Sequence, residues 1–212
     1  MVDMLPQYAI REATPADITA VMRIELQSFA DGIAESEAVF TERLRYAEHC
    51  NYVLVRQTDK AVCGYLTAEI WKADPQTPEA FALGHSVYER HCAAGTALYI
   101  SSFALAPELR SQKLKPVQYS SAADTDQTAI GAATFFFAGA LKRITAAFPQ
   151  LKKLILLVHE DWRNAIRIYE AQGFTRIAVL ERFPAFGGKQ AYIYEKTAPS
   201  PDTPEGLNPP HK

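Results

Sequence analysis

The stretch LILLVHEDWRNAIRIYEAQGF, residues 154–174, constrains the fold more than any other. Its first five residues form a continuous apolar run, the mark of a buried strand. Residues Trp162 to Gln172 then take up helical periodicity, and Gly173 supplies the stop with which such helices commonly end. A buried strand feeding directly into a helix belongs to an α/β fold. The rest of the chain reads, with it, as β-α-α-β-β-β-α-β-α-β-β on a mixed sheet.

The first strand is Tyr8 to Glu12. Thr14 then stands as a cap, Pro15 at the first helical position and Asp17 in the first turn, opening a helix whose apolar stripe is Ile18, Val21, Met22, Leu26 and Phe29. A second helix spans Ser36 to about Glu48, with Val39, Phe40, Leu44 and Ala47 on one face and Glu37, Glu42, Arg43 and Arg45 read as a solvated face. NYVLVRQ, TDK and AVCGYLTAEIW form a hairpin. Lys72 to Gly95 is a long loop with one helical turn, TALYISSFAL is a strand, and Pro107 forces the chain to turn. A buried helix follows from Ile130 to Phe148, and two last strands run from Phe174 to about Phe183 and from Gln190 to Glu195. One domain therefore covers residues 1–196, with the polar stretch Lys115 to Ala129 as a loop insertion. Thr197 to Lys212 carries five prolines and reads as a disordered tail.

Composition excludes several roles. With 22 Lys plus Arg against 24 Asp plus Glu the net charge is −2, so no basic field is present to bind nucleic acid. The apolar runs IGAATFFFAGAL and LILLV fall short of the roughly 20 residues of a membrane helix. MVDMLPQYAIRE shows neither region of a signal peptide, and three cysteines without framework spacing fit reduced thiols. The expectation is a cytoplasmic protein that binds neither nucleic acid nor membrane. His85, His91 and Cys92 match no common zinc spacing, so no metal is expected.

Two segments carry chemistry. In YISSFALAPELRSQKL a strand ends at Leu105, and Arg110, Ser111, Gln112 and Lys113 lead from a turn toward a helix, an arrangement suited to an anion. Alone it is equally a basic turn in any α/β protein. The second segment is LILLVHEDWRNAIRIYEAQGF, with Tyr169 near the helix end before Gly173 and Phe174. Taken by itself, Tyr169 reads as a core residue with its hydroxyl bonded. Together, and in this order, the two segments resemble the GNAT N-acetyltransferase superfamily, across roughly Tyr8 to Glu195.

That resemblance implies direct acetyl transfer from acetyl-CoA to an amine, with no covalent enzyme intermediate. It implies two splayed strands that leave the backbone of Phe103, Ala104 and Leu105 free to meet the pantetheine arm and thioester. It further implies a pyrophosphate at the turn after Arg110 and Tyr169 as the acid that protonates the departing thiolate. The family's loop glycines are replaced by Ser111, Lys113 and Lys115, so Gly131 and Ala132, beyond the insertion, stand in for the last of them. The family's asparagine position holds Trp162, and Asn164 lies two residues later.

No residue stands out as the base. The strand positions Ala97, Tyr99, Ser101 and Leu157 hold neither acid nor histidine, which leaves Glu69, His85, Tyr99 and His159 as candidates. The acceptor is expected to be a small amine or a protein terminus, bound between the first helix pair and the loop Lys72 to Gly95, where Asp74, Glu79 and Glu89 suit a cation. The alternative is a GNAT-like domain that binds acyl-CoA or a protein without turnover. A homodimer through the C-terminal strands is a habit of the family that the sequence leaves open.

Overall fold

The computed structural model describes residues 8–72, 77–114 and 130–199. The strand and helix order is β1 (Tyr8–Glu12), α1 (Ile18–Ser28), α2 (Glu37–Tyr46), β2 (Tyr52–Arg56), β3 (Val62–Trp71), α3 (Val87–Arg90), β4 (Ala97–Leu105), β5 (Lys113–Leu114), β6 (Ile130–Gly131), α4 (Ala132–Ala147), β7 (Lys153–His159), α5 (Arg163–Ala171), β8 (Thr175–Leu180) and β9 (Ala191–Thr197). The eleven expected elements are all present. The short helix α3 is the helical turn expected within Lys72 to Gly95, and the additions are the two-residue strands β5 and β6, which pair with each other apart from the main sheet.

The main sheet has seven strands in the order β1-β2-β3-β4-β7-β9-β8. All ten residues of β3 are buried, because helices cover both of its faces. Leu66, Ala68 and Ile70 pack with Phe136 and Phe137 of α4, whereas Tyr65 packs with Val21 and Ile24 of α1 and Phe40 of α2. Neighbouring strand residues point to opposite faces, so α1 and α2 lie on one side and α4 on the other. Fully buried side chains such as Ile24 and Phe40 each contribute about 1.5–3 kcal/mol of transfer free energy. Gly95 has a steric reason to be glycine, since a Cβ there would overlap the Trp71 carbonyl.

Several local expectations are corrected. Leu26 is 64% exposed, and the buried face of α1 is Val21, Ile24 and Glu25. Arg43 is no part of a solvated face but 1% exposed. Thr14, by contrast, is the N-cap before Pro15 as expected, and Asp17 completes a capping box with it, its carboxylate accepting the Thr14 backbone NH at 2.8 Å and hydroxyl at 3.0 Å. Thr197 belongs to β9, opposite Lys153, rather than to the tail. The insertion at 115–129 and the tail from residue 200 lie outside the described residues.

Two irregularities of β4 position the site. It pairs in parallel with β7 only from Ala97 to Ile100, against Lys153 to Leu156. Past Ile100, β4 stays with β3 to Leu105 while β7 stays with β9 to His159, so the sheet opens between them. At the same point the β3–β4 register slips, with Thr67 opposite Ser102 but Ala68 opposite Ile100. Ser101 is the extra residue of a bulge.

Candidate active site

The opening between β4 and β7 is a cleft of about 430 Å³. Its walls are residues 99–105 of β4, Leu156 and Leu157 of β7, the first turns of α5, and Glu25, Ser28 and Phe29 at the end of α1. Among the described residues no strand pairs with the β7-side edge of Ser101 to Leu105, so backbone groups there face the cleft instead of a ladder.

On the α5 side stands Tyr169, 7% exposed, its ring packed 5.1 Å from Phe137. Its hydroxyl has no hydrogen bond among the described residues, and burial holds its pKa above the ordinary value. It is therefore protonated at neutral pH and free to donate. Gly173, at φ +84°, terminates α5 and lets the Phe174 NH reach the Tyr169 carbonyl at 3.0 Å. Asn164, in the first turn of α5, lines the cleft beside it.

The turn after β4 is more committed than its sequence suggests. Arg110 lines the cleft, but its guanidinium donates to the Leu105 carbonyl at 3.2 Å, the Gln27 carbonyl at 3.1 Å and Ser28 Oγ at 2.9 Å. It braces β4 against α1. Ala132 is buried and donates its backbone NH to the Gln112 carbonyl at 2.8 Å, so that NH is not available to a phosphate. A Cβ on Gly131 would meet the Thr134 hydroxyl at 3.7 Å, an ordinary contact, and Ser111, Gln112 and Lys113 are exposed. Phe103, Ala104 and Leu105 stand on the cleft edge.

On the α1 side lies a buried polar network that the sequence reading did not find. Glu25 is 1% exposed; its Oε1 accepts the Glu35 backbone NH at 2.9 Å and its Oε2 accepts the Tyr65 hydroxyl. Burial raises the Glu25 pKa, against the opposing pull of these hydrogen bonds. Glu35 is held by Arg43 through two contacts of 2.5 and 2.8 Å and accepts the Gly84 NH at 2.7 Å. The signal was an acid four residues after Val21, at core spacing on α1. Phe29, Ile33, Leu83, Tyr99, Trp162 and Phe186 complete an apolar, largely aromatic wall.

The candidate bases are distributed differently from expectation. Tyr99 lines the cleft, stacked 4.4 Å from Trp71. Glu69, opposite Tyr99 in the register, is fully buried and bonded to Nε2 of His85, whose Nδ1 faces the Ala82 carbonyl at 2.8 Å. Neither Glu69 nor His85 is among the cleft walls; they fasten the loop before β4 onto the sheet. His159 stacks on Trp162 and its Nδ1 accepts the Asp161 NH at 3.0 Å. Glu79 and Glu89 are exposed and outside the cleft, and Asp74 lies outside the described residues. Among the described residues no three His, Cys, Asp or Glu side chains converge to hold a metal, and no helix is long and apolar enough to cross a membrane.

No family model matches the sequence, and no curated protein matches it as a relative. Solved structures do match. The loading GNATL domain of CurA from Lyngbya majuscula superposes with a TM-score of 0.67 at 10% identity, covering 91% of this chain and 98% of that one. The chain has the GNAT fold. The ribosomal-protein-S18-alanine N-acetyltransferase from Escherichia coli matches at 0.60 and 16% identity, over 95% of this chain and 99% of that one. NAA60 of Arabidopsis thaliana, solved in complex with acetyl-CoA, matches at 0.63 and 16% identity, over 90% and 98%. The opening between β4 and β7 is thus the pair of splayed strands that a GNAT resemblance implies. At such identities the comparison carries the fold, and the chemistry has to be argued from the cleft.

Proposed function

We propose that this GNAT-fold chain is an acyl-CoA-dependent N-acyltransferase that moves an acetyl group from acetyl-CoA to a primary amine by direct attack in a ternary complex. One observation carries the reading. The cleft between the splayed strands has an unbonded, protonated tyrosine hydroxyl on its α5 side and a buried carboxyl of raised pKa on its α1 side. An acid and a base on opposite sides of one gap suit a reaction in which nitrogen loses a proton and sulfur gains one.

In this reading the pantetheine arm runs along the unpaired edge of Ser101 to Leu105, where a backbone NH meets the thioester oxygen and stabilises the tetrahedral oxyanion. The C–N bond forms, the C–S bond breaks, and Tyr169 donates to the departing thiolate. The phosphates fall to Ser111, Gln112 and Lys113 at the Gly131 end of α4, with Asn164 across the cleft and Nη1 of Arg110, which its three protein contacts do not use, while the Ala132 NH is already engaged. Glu25 takes the ammonium proton of the acceptor. The solved structure of a fold neighbour with acetyl-CoA supports the choice of donor.

The aromatic wall and the neutralised Arg43–Glu35 pair support a small amine with an apolar body over a protein terminus. Glu25 has no ion-pair partner among the described residues, so it is the site's uncompensated negative charge.

A calorimetric titration with acetyl-CoA tests the reading, followed by thiol release with benzylamine and hexylamine as acceptors. Micromolar binding and release support it. No binding at millimolar acetyl-CoA refutes it, and binding without release with any amine favours the non-catalytic acyl-CoA-binding domain.

A further inference from the structure

The proton acceptor proposed above poses a geometric problem. Glu25 is 1% exposed, and both of its oxygens already accept hydrogen bonds from the protein. An amine in the cleft meets a more accessible group first. Ser102 is half-buried, lines the cleft, and places its Oγ 2.9 Å from the Tyr65 hydroxyl oxygen. Tyr65, fully buried on β3, bonds in turn to Glu25 Oε2.

The polarity of this chain is fixed by proton counting. An ionised carboxylate can only accept, and a tyrosine has one proton to give, so Tyr65 donates to Glu25. Ser102 must then donate to Tyr65. Its oxygen keeps its lone pairs for a donor arriving from the cleft. The bulge at Ser101 makes the contact possible: Ser102 and Ala104 lie on one face, and Tyr65, opposite Ala104, is the diagonal neighbour of Ser102.

We propose that Ser102 and Tyr65 form a hydroxyl relay that carries the acceptor's ammonium proton to Glu25. The proposal rests on the acyltransferase reading. In the step, an ammonium proton passes to Ser102 Oγ, the Ser102 proton passes to the Tyr65 oxygen, and the Tyr65 proton passes to Glu25 Oε2. The nitrogen keeps its electron pair, both hydroxyls end neutral, and Glu25 ends as a neutral carboxyl. After product leaves, the same chain runs in reverse to return the proton to solvent.

The surroundings favour a concerted shift. Burial and the adjacent Glu25 hold the Tyr65 pKa well above its ordinary value, so a free tyrosinate does not accumulate. Glu35 and Arg43, the other charges facing Glu25, pair with each other and leave its charge to be met by the incoming proton. Ser102 is thus the catalytic residue that touches the amine, and Tyr65 acts through it.

Tyr65→Phe, Ser102→Ala, the double variant and Ser102→Thr test the relay with acetyl-CoA and benzylamine or hexylamine. Each of the first two lowers kcat by about 100-fold, and the double variant falls no further, because one chain is cut twice. Acetyl-CoA affinity stays unchanged, Ser102→Thr restores turnover, and the wild-type proton inventory in mixed H2O and D2O is curved. Wild-type kcat in Tyr65→Phe, or penalties that multiply in the double variant, overturns the relay. Glu25→Gln separates the two claims: if it retains full activity, the base assignment fails as well. A carbon-13 titration of the glutamate carboxyls needs no acceptor. Loss of the Tyr65 donor moves the Glu25 titration upward, and an unmoved Glu25 overturns the relay.

Discussion

Replacing Arg43 by methionine should destabilise the fold out of proportion to the change in shape. Arg43 is 1% exposed and holds Glu35 through two contacts of 2.5 and 2.8 Å. Methionine fills much of the same volume, so what remains is a buried carboxylate, 8% exposed, whose surviving donor is the Gly84 NH. Breaking one side of a buried pair costs about 3–5 kcal/mol. Because Glu35 keeps that bond, the low end, about 3 kcal/mol, applies. For a chain of this size that corresponds to a Tm lower by about 6–12 °C. Urea and thermal unfolding at pH 7 measure it, with Glu35→Leu plus Arg43→Met as the control. The double variant should recover most of the loss, since no charge is left unpaired. A single-variant loss below about 1 kcal/mol, or a double variant less stable than Arg43→Met, would refute the reasoning. Glu35 also positions Glu25 through its backbone NH, so thiol release should fall with stability in the single variant.

Three further outcomes are expected. Tyr169→Phe should lower kcat by about 10- to 100-fold while acetyl-CoA affinity stays within about threefold, and unchanged turnover in the thiol assay removes Tyr169 from the chemistry. Because burial raises the Glu25 pKa, the folded state binds that proton more tightly than the unfolded chain, and stability falls as pH rises through the unfolded value toward the folded one. Glu25→Gln should therefore be more stable than wild type in urea at pH 7 and equal to it below about pH 4, where both side chains are neutral; a less stable variant at pH 7 contradicts this. Asp17 is the opposite case: burial alone would raise its pKa, but the Arg11 pair at 2.7 Å and the Thr14 hydrogen bonds prevail and lower it. Asp17→Asn should cost about 1–2 kcal/mol at pH 7, and the difference should fade as pH falls through the lowered pKa, which unfolding at pH 7 and pH 2 compares.

The parts of the fold legible in the sequence are those written in local periodicity. The LILLV strand, the α5 helix and its Gly173 stop are each decided by neighbours within a few residues, and their positions hold to within a residue or two. The place of Tyr169 on α5 relative to Gly173 is fixed by the same helix geometry, whereas its role as acid comes from the resemblance to the GNAT superfamily. The reading of Arg43 failed because charge alone does not say whether a partner exists. Glu35 lies eight residues earlier, on a loop with no periodicity to place it.

The proposed base and its relay are hidden from the sequence for a sharper reason. Regular alternation along β4 puts residues 97, 99 and 101 on one face and Ser102 on the other. Residues 99 and 102 are three apart and should face opposite ways. The bulge inserts one residue, so Tyr99, Ser102 and Ala104 all face α1 and the acceptor side. The amino-acid sequence by itself determined which segments become strands and helices, because those preferences are local. Only the tertiary structure decided that Glu25, Tyr65 and Ser102 form one chain across 40 and then 37 residues of separation. That contact depends on strand register, where a slip of one residue turns every side chain to the other face.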